Sequence, residues 1–156
     1  MKTSTLAACL LTLIVSTGAS AASTPCLTDS EHKASMVRQL QTELMVAALK
    51  CAGHPADLSG RYNTFVKKFG RDLSSNADTL RAYFSRAYGS GHARKMDSFV
   101  TSLANDAVIR TINEQGFCDS MTPVFDKVLG LENNDLETFA SQTVTPRETL
   151  VQCAKK

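Results

Sequence analysis

The chain has no tryptophan and only three tyrosines among its 156 residues. Surfaces that bind carbohydrate or single-stranded nucleic acid lean on exposed aromatic rings, so neither class is favoured. There is little excess of either charge. Seventeen Lys and Arg face fifteen Asp and Glu, a formal net charge of +2. That balance gives no electrostatic case for nucleic acid or for an anionic membrane surface. No Cys-x-x-Cys occurs, which argues against a thioredoxin-like redox pair, and no Cys-x-x-Cys-His, which argues against covalent haem. Gly-x-Ser-x-Gly is also missing. Beyond residue 22 no apolar run approaches the ~20 residues that a bilayer span needs. Strand-like alternation, internal repeats and low-complexity linkers are likewise missing. No cofactor and no membrane insertion are therefore expected.

What the chain does have begins with an export signal. Lys2 gives a short positive start, residues 6–15 are apolar except Thr12, and Ala19 and Ala21 supply a small-x-small cleavage pattern. Residues 1–21 are read as a signal peptide cut after about Ala21, and residues 22–156 as one helical domain. "LAAC" at residues 6–9 imitates a lipoprotein box, but it precedes the apolar run where such a box must follow it. The expected location is the periplasm or the outside of the cell. Once Lys2 is removed the net charge falls to near +1. A domain of this length can bury about two-thirds of its unfolded surface.

Five cysteines are present, and Cys9 leaves with the signal. An even number in an oxidising compartment reads as two disulfides, and four thiols allow three connectivities. A helix over residues 32–51 would be about 30 Å long at ~1.5 Å per residue. Cys26 lies before its start and Cys51 at its end. A disulfide holds its Cα atoms within about 7 Å, so Cys26–Cys51 is disfavoured together with Cys118–Cys153. Two pairings remain. Cys51–Cys118 with Cys26–Cys153 is preferred, because the first bond would staple two core helices and the second would tie the termini. Each would contribute ~3–5 kcal/mol by constraining the unfolded chain. Cys51 and His54 also form a Cys-x-x-His, but zinc would need thiolates protected from oxidation, so no metal site is expected.

The domain reads as all-α, a compact bundle of five to seven helices stapled by two disulfides. Thr28 and Glu31 have capping-box spacing at the start of the first helix. On a wheel of ~100° per residue, Met36, Val37, Leu40, Leu44, Ala47, Ala48 and Cys51 share one stripe. Cys51 therefore points at a partner helix, and Gly53 is a plausible C-cap. Val46 and Leu49 fall on the opposite side, so that end is expected to be covered on both faces. Asp57 can cap a second helix carrying Leu58, Tyr62, Phe65, Val66 and Phe69. "DLSSNAD" reads as an interruption, with Leu80, Tyr83, Phe84 and Ala87 on a third helix ended by "YGSGH". A fourth runs from about Arg94 to Gln115, and a fifth follows Gly116 and Cys118. A short helix carries Leu136, Phe139 and Ala140, and "TPRE" has the full start signature of a last one.

Candidate chemistry is sparse. Glu43, Asp97, Glu114, Asp119 and Asp126 could serve a glycosidase only as a facing pair, and nothing in the sequence pairs them. Ser90 and His92 are close in sequence, but catalytic partners are recognised by geometry. Arg94 and Lys95 could assist an anion at the opening of the fourth helix. The richest stretch is "RAYFSRAYG", where Arg81, Tyr83, Phe84 and Tyr88 are the candidate partner-docking residues, weighed against core packing. An aromatic-lined cavity for a small apolar ligand is the other use of such a patch.

The segments "LQTELMVAALKC", "YNTFVKKFG", "LRAYFSRAYG" and "FC" at residues 117–118 resemble a group of small exported bacterial helical proteins with two cysteine pairs and no assigned activity. The likeness spans about residues 26–153. It implies an exported, disulfide-bonded, helical protein and brings no site residues. The leading expectation is a non-enzymatic periplasmic accessory protein that binds another protein of the cell envelope. A carrier of a small apolar ligand is the alternative, and a hydrolase with an unrecognised acidic pair a further one.

Overall fold

The computed structural model describes residues 25–132, 135–146 and 150–154. The expected signal segment and the start of the "TPRE" helix beyond Pro146 lie outside them. Among the described residues the chain is helical and forms no named strand: α1 (Asp29–Lys50), α2 (Leu58–Tyr88), a 3-10 turn (Gly89–Gly91), α3 (His92–Asn113), α4 (Phe117–Gly130) and the short α5 (Leu136–Thr143). No described helix is long and apolar enough to cross a membrane.

α1 opens on the expected capping box. Thr28 Oγ1 accepts from the Glu31 amide at 3.3 Å, and Glu31 accepts from the Thr28 amide at 2.8 Å. Glu31 also takes Arg86 from the far end of α2, whose Nη2 lies 2.7 Å from both carboxylate oxygens. One buried side chain thus caps one helix and anchors another. α1 packs against α2, α3, α4 and α5, which is why Ala34, Met36, Val37, Leu40, Leu44 and Ala47 are all at most 2 % exposed. Its last turns are covered less completely than the wheel predicts. Val46 is buried, whereas Leu49 stays 70 % exposed.

Cys51 closes α1, and Gly53 turns the chain at φ +84°. Asp57 then caps α2, its Oδ1 accepting from the Gly60 amide at 3.1 Å. A Cβ on Gly60 would overlap the Asp57 carboxylate, so any other residue there displaces the capping side chain. The expected break at "DLSSNAD" does not occur. Residues 72–78 continue the helix because Leu73 and Leu80 keep the apolar stripe in phase. Asn76 is buried in the helix and donates to the Asp72 carbonyl at 2.8 Å instead of capping a new one. The only irregularity is a bend at Phe69 (φ −103°, ψ 16°).

The apolar interior has two parts, and α2 serves both. The first gathers Leu40 and Leu44 of α1 and its C-cap Cys51 with Phe65 and Phe69 of α2, Met121 and Phe125 of α4, and Leu136 and Ala140 of α5. The second gathers Leu27 and Ala34 with Leu80, Tyr83 and Phe84 of α2 and Phe99 and Leu103 of α3. The first contains Cys51 and Cys118, and Leu27 of the second is the chain neighbour of Cys26. Cys51–Cys118 holds its Cα atoms 5.7 Å apart, and Cys26–Cys153 holds its own 4.9 Å apart.

The helix expected after Thr145 is absent from its described part. Residues 150–153 are not helical, and Gln152 forms an isolated parallel bridge with Leu27. The Leu27 amide donates to the Val151 carbonyl at 2.9 Å, and the Cys153 amide to the Leu27 carbonyl at 2.8 Å. A helix-start signature contributes only about 1 kcal/mol. The disulfide to Cys26 and the bridge to Leu27 outweigh it.

Candidate functional site: the groove between α4 and α5

α4 is fixed from two sides. At its start, Gly116 adopts φ +71° and the Cys51–Cys118 disulfide ties its first turn to α1. Along its length α2 reaches across. Arg61 pairs with Asp126, and Lys68 Nζ donates to the carbonyls of Leu129 at 2.8 Å and Leu131 at 2.5 Å. Those carbonyls lie at the C-terminal end of α4, where helix carbonyls run out of intrahelical donors, so a lysine there bonds them and complements the helix dipole.

With α4 braced, its outer face and α5 enclose a groove of about 640 Å³. Pro123, Val124, Leu131 and Phe139 form its apolar bed, and Asp126, Lys127, Gln142 and Thr143 its rim. Val124, Leu131 and Phe139 are partly buried and continuous with the first apolar cluster. Asp126 is neutralised by Arg61, while Lys127 forms no ion pair among the described residues. The groove therefore offers apolar contact with one positive charge at its rim.

Of the acids singled out in the sequence, Asp126 stands on this rim and the others lie elsewhere. Arg110 of α3 donates to Glu43 at 2.6 Å and to Glu114 at 3.2 Å. Glu43 also accepts from Gln39 at 2.9 Å. Ser120 donates to Glu114 at 2.6 Å, and these bonds from Ser120 and Arg110 hold its carboxyl below the usual range. Two carboxylates sharing one guanidinium form a brace between α1 and α3. Glu43 nevertheless lines a smaller polar cleft of about 270 Å³ with Asp106 and Arg110. Asp119 accepts from His54 Nε2 at 3.1 Å. The Ala56 amide donates to His54 Nδ1 at 3.3 Å, which places the ring proton of neutral His54 on Nε2. Asp97 is exposed on α3.

Ser90 is exposed in the 3-10 turn, and His92 Nδ1 donates to the Gly89 carbonyl at 2.8 Å. Arg94 and Lys95 are exposed in the first turn of α3, and Lys95 Nζ lies 5.6 Å from the Tyr88 ring centre. Cys51 sulfur is spent in a disulfide. Among the described residues no three His, Cys, Asp or Glu side chains gather as a metal site.

The residues proposed for docking do not share an outward face. Tyr83 is 1 % and Phe84 2 % exposed, both inside the second apolar cluster. Tyr88 is half-buried and stacks on Phe84, with ring centres 5.7 Å apart. Arg81 alone is fully outward, paired with Asp78. The reason is geometric: Leu80 and Phe84, four apart, fall on the stripe that meets Leu27 and α3. Burial, and secondarily Tyr88 and Glu31, raise the Tyr83 phenol above its ordinary pKa, and its hydroxyl donates to the Pro25 carbonyl at 3.2 Å.

Comparison with protein families, curated proteins and solved structures found no match to this chain. The resemblance drawn from the sequence is thus matched here only in its coarsest terms, a helical protein with two cysteine pairs.

Proposed function

We propose that this is a non-enzymatic accessory protein of the cell envelope, working in the periplasm or outside the cell, whose task is contact with another protein. The observation that carries the reading is the α4–α5 groove, an apolar bed with Lys127 at its rim. It sits on a helix fastened by a disulfide and by two cations from α2. Binding gains most from surfaces that need no reordering, and this brace supplies that. Two disulfides fit an oxidising compartment. The contact face differs from the aromatic stretch favoured by the sequence, because Tyr83 and Phe84 serve packing.

The test is site-specific photocrosslinking in the host envelope. A crosslinker at Gln142 should yield one partner adduct that is lost with Lys127→Glu, while the same probe at Ser74 yields none. Equal adducts at both positions, or none at Gln142, would overturn the reading.

A second reading, a carrier of a small apolar ligand, is favoured by the groove's volume, which falls in the ~300–1,000 Å³ range of small-molecule sites. The ligand would then sit in this surface groove and not between the core helices. Native mass spectrometry of exported protein would show a bound mass, and an unliganded mass alone would count against it.

A further inference from the structure

The two disulfides occupy opposite environments. Cys51 is 4 % exposed and belongs to the first apolar cluster. Cys26 is exposed and Cys153 half-buried, and neither belongs to an apolar cluster. Several contacts accompany Cys26–Cys153 among the described residues. Two backbone hydrogen bonds join Leu27 to Val151 and Cys153. Gln152 reaches Asp29 at 3.4 Å, and the Tyr83 hydroxyl holds Pro25. Beneath this clasp lie aromatic rings. Leu27 is fully buried in the second cluster, and Leu150 lines a cleft of about 280 Å³ with Phe84, Tyr88 and Phe99.

We propose that Cys26–Cys153 is a thiol–disulfide exchange site, opened by dithiols while Cys51–Cys118 stays closed. Exchange requires a thiolate to reach a sulfur along the S–S axis, and only the terminal bond offers one on an exposed residue. A dithiol thiolate attacks Cys26 Sγ, the S–S bond breaks, and Cys153 leaves as a thiolate that takes a proton. The second thiol of the reagent then attacks the mixed disulfide and releases Cys26. The reagent is oxidised to a disulfide by two electrons, and Cys26 and Cys153 are left as thiols. The first apolar cluster keeps its own bond throughout. Opening frees residues 150–153 and uncovers the aromatic cleft, so the oxidation state of one bond sets how much of the second cluster meets solvent.

The oxidised full chain is treated with graded dithiothreitol under native conditions, quenched with an alkylating reagent and digested for mass spectrometry. Cys26 and Cys153 should label together, at least about tenfold faster than Cys51 and Cys118. Hydrogen exchange should quicken at the Leu27 and Cys153 amides and stay slow in the middle of α1. A Cys26→Ser/Cys153→Ser chain should reproduce that exchange pattern without reductant. Four cysteines labelling in one step, or Cys51 and Cys118 labelling first, would overturn the proposal. Should the double variant not fold, the labelling order of the unaltered chain still decides.

Discussion

Glu31 shows how much one side chain can carry. Burial alone would raise its carboxyl, but bonds from Arg86 and from the amide and hydroxyl of Thr28 outweigh that and hold it below the ordinary value. A carboxyl lowered by folding stabilises the native state at pH above its unfolded value, and that contribution fades as pH falls through the folded one. Glu31→Gln should therefore cost about 1 kcal/mol at pH 7. In urea titrations the gap between the two chains should close toward pH 3, and a gap independent of pH would contradict the ion-pair account. Gly60 offers a second test. Gly60→Ala forces Asp57 off the α2 amides and should cost about 1 kcal/mol, whereas Gly70→Ala, where an added Cβ meets nothing within 4 Å, should not destabilise through contact. At this scale the sequence is informative where a residue acts on its neighbours. The Thr28–Glu31 box, the Asp57 cap and the inward Cys51 are all legible, because spacing of three or four along a helix determines them. Arg86 on Glu31 is not, since 55 residues separate the partners.

At the scale of elements, the longest described helix is the one the sequence divides in two. A run of Asp, Ser and Asn favours caps and turns when judged locally, yet α2 passes through it because Leu73 and Leu80 bury on either side. The converse holds after Thr145, where strong start signals give way to the clasp that holds residues 151–153 against Leu27. α4 depends on α2 in a measurable way. Lys68→Ala removes both hydrogen bonds from Lys68 Nζ to the carbonyls at the end of α4. Its global cost should stay below about 1 kcal/mol, as expected for an exposed lysine. Amide exchange over residues 127–131 should nonetheless rise, and unchanged exchange there would show that the brace is idle. Phe65→Ala, which empties a fully buried site in the first cluster, should cost ~3–5 kcal/mol by chemical denaturation. The groove was illegible beforehand. Arg61 and Lys68 lie seven apart and could have been read as one cationic edge of α2, but only the packed α4 reveals what they hold.

For the molecule as a whole, the all-helical class and the two cysteine pairs were readable, because composition and periodicity report both. The division into two apolar clusters was not, since a helical wheel states which face is apolar and not which other element covers it. The bonds Cys26–Cys153 and Cys51–Cys118 close 127 and 67 residues. Loop-entropy scaling gives about 5 and about 4 kcal/mol respectively, against a total stability of roughly 5–15 kcal/mol for a domain. Breaking both should lower the calorimetric melting temperature by about 20 °C or more. A melt that does not move under strong reductant would mean that packing alone suffices.

The parallel bridge between Leu27 and Gln152 has one more consequence. It brings the two ends of the described chain to a single spot on the surface. A short peptide joining that spot, with new ends cut into the Gly53–Pro55 turn, gives a circular permutant in which every helix keeps its neighbours. Such a rewired chain would retain the architecture without its terminal sulfur bond.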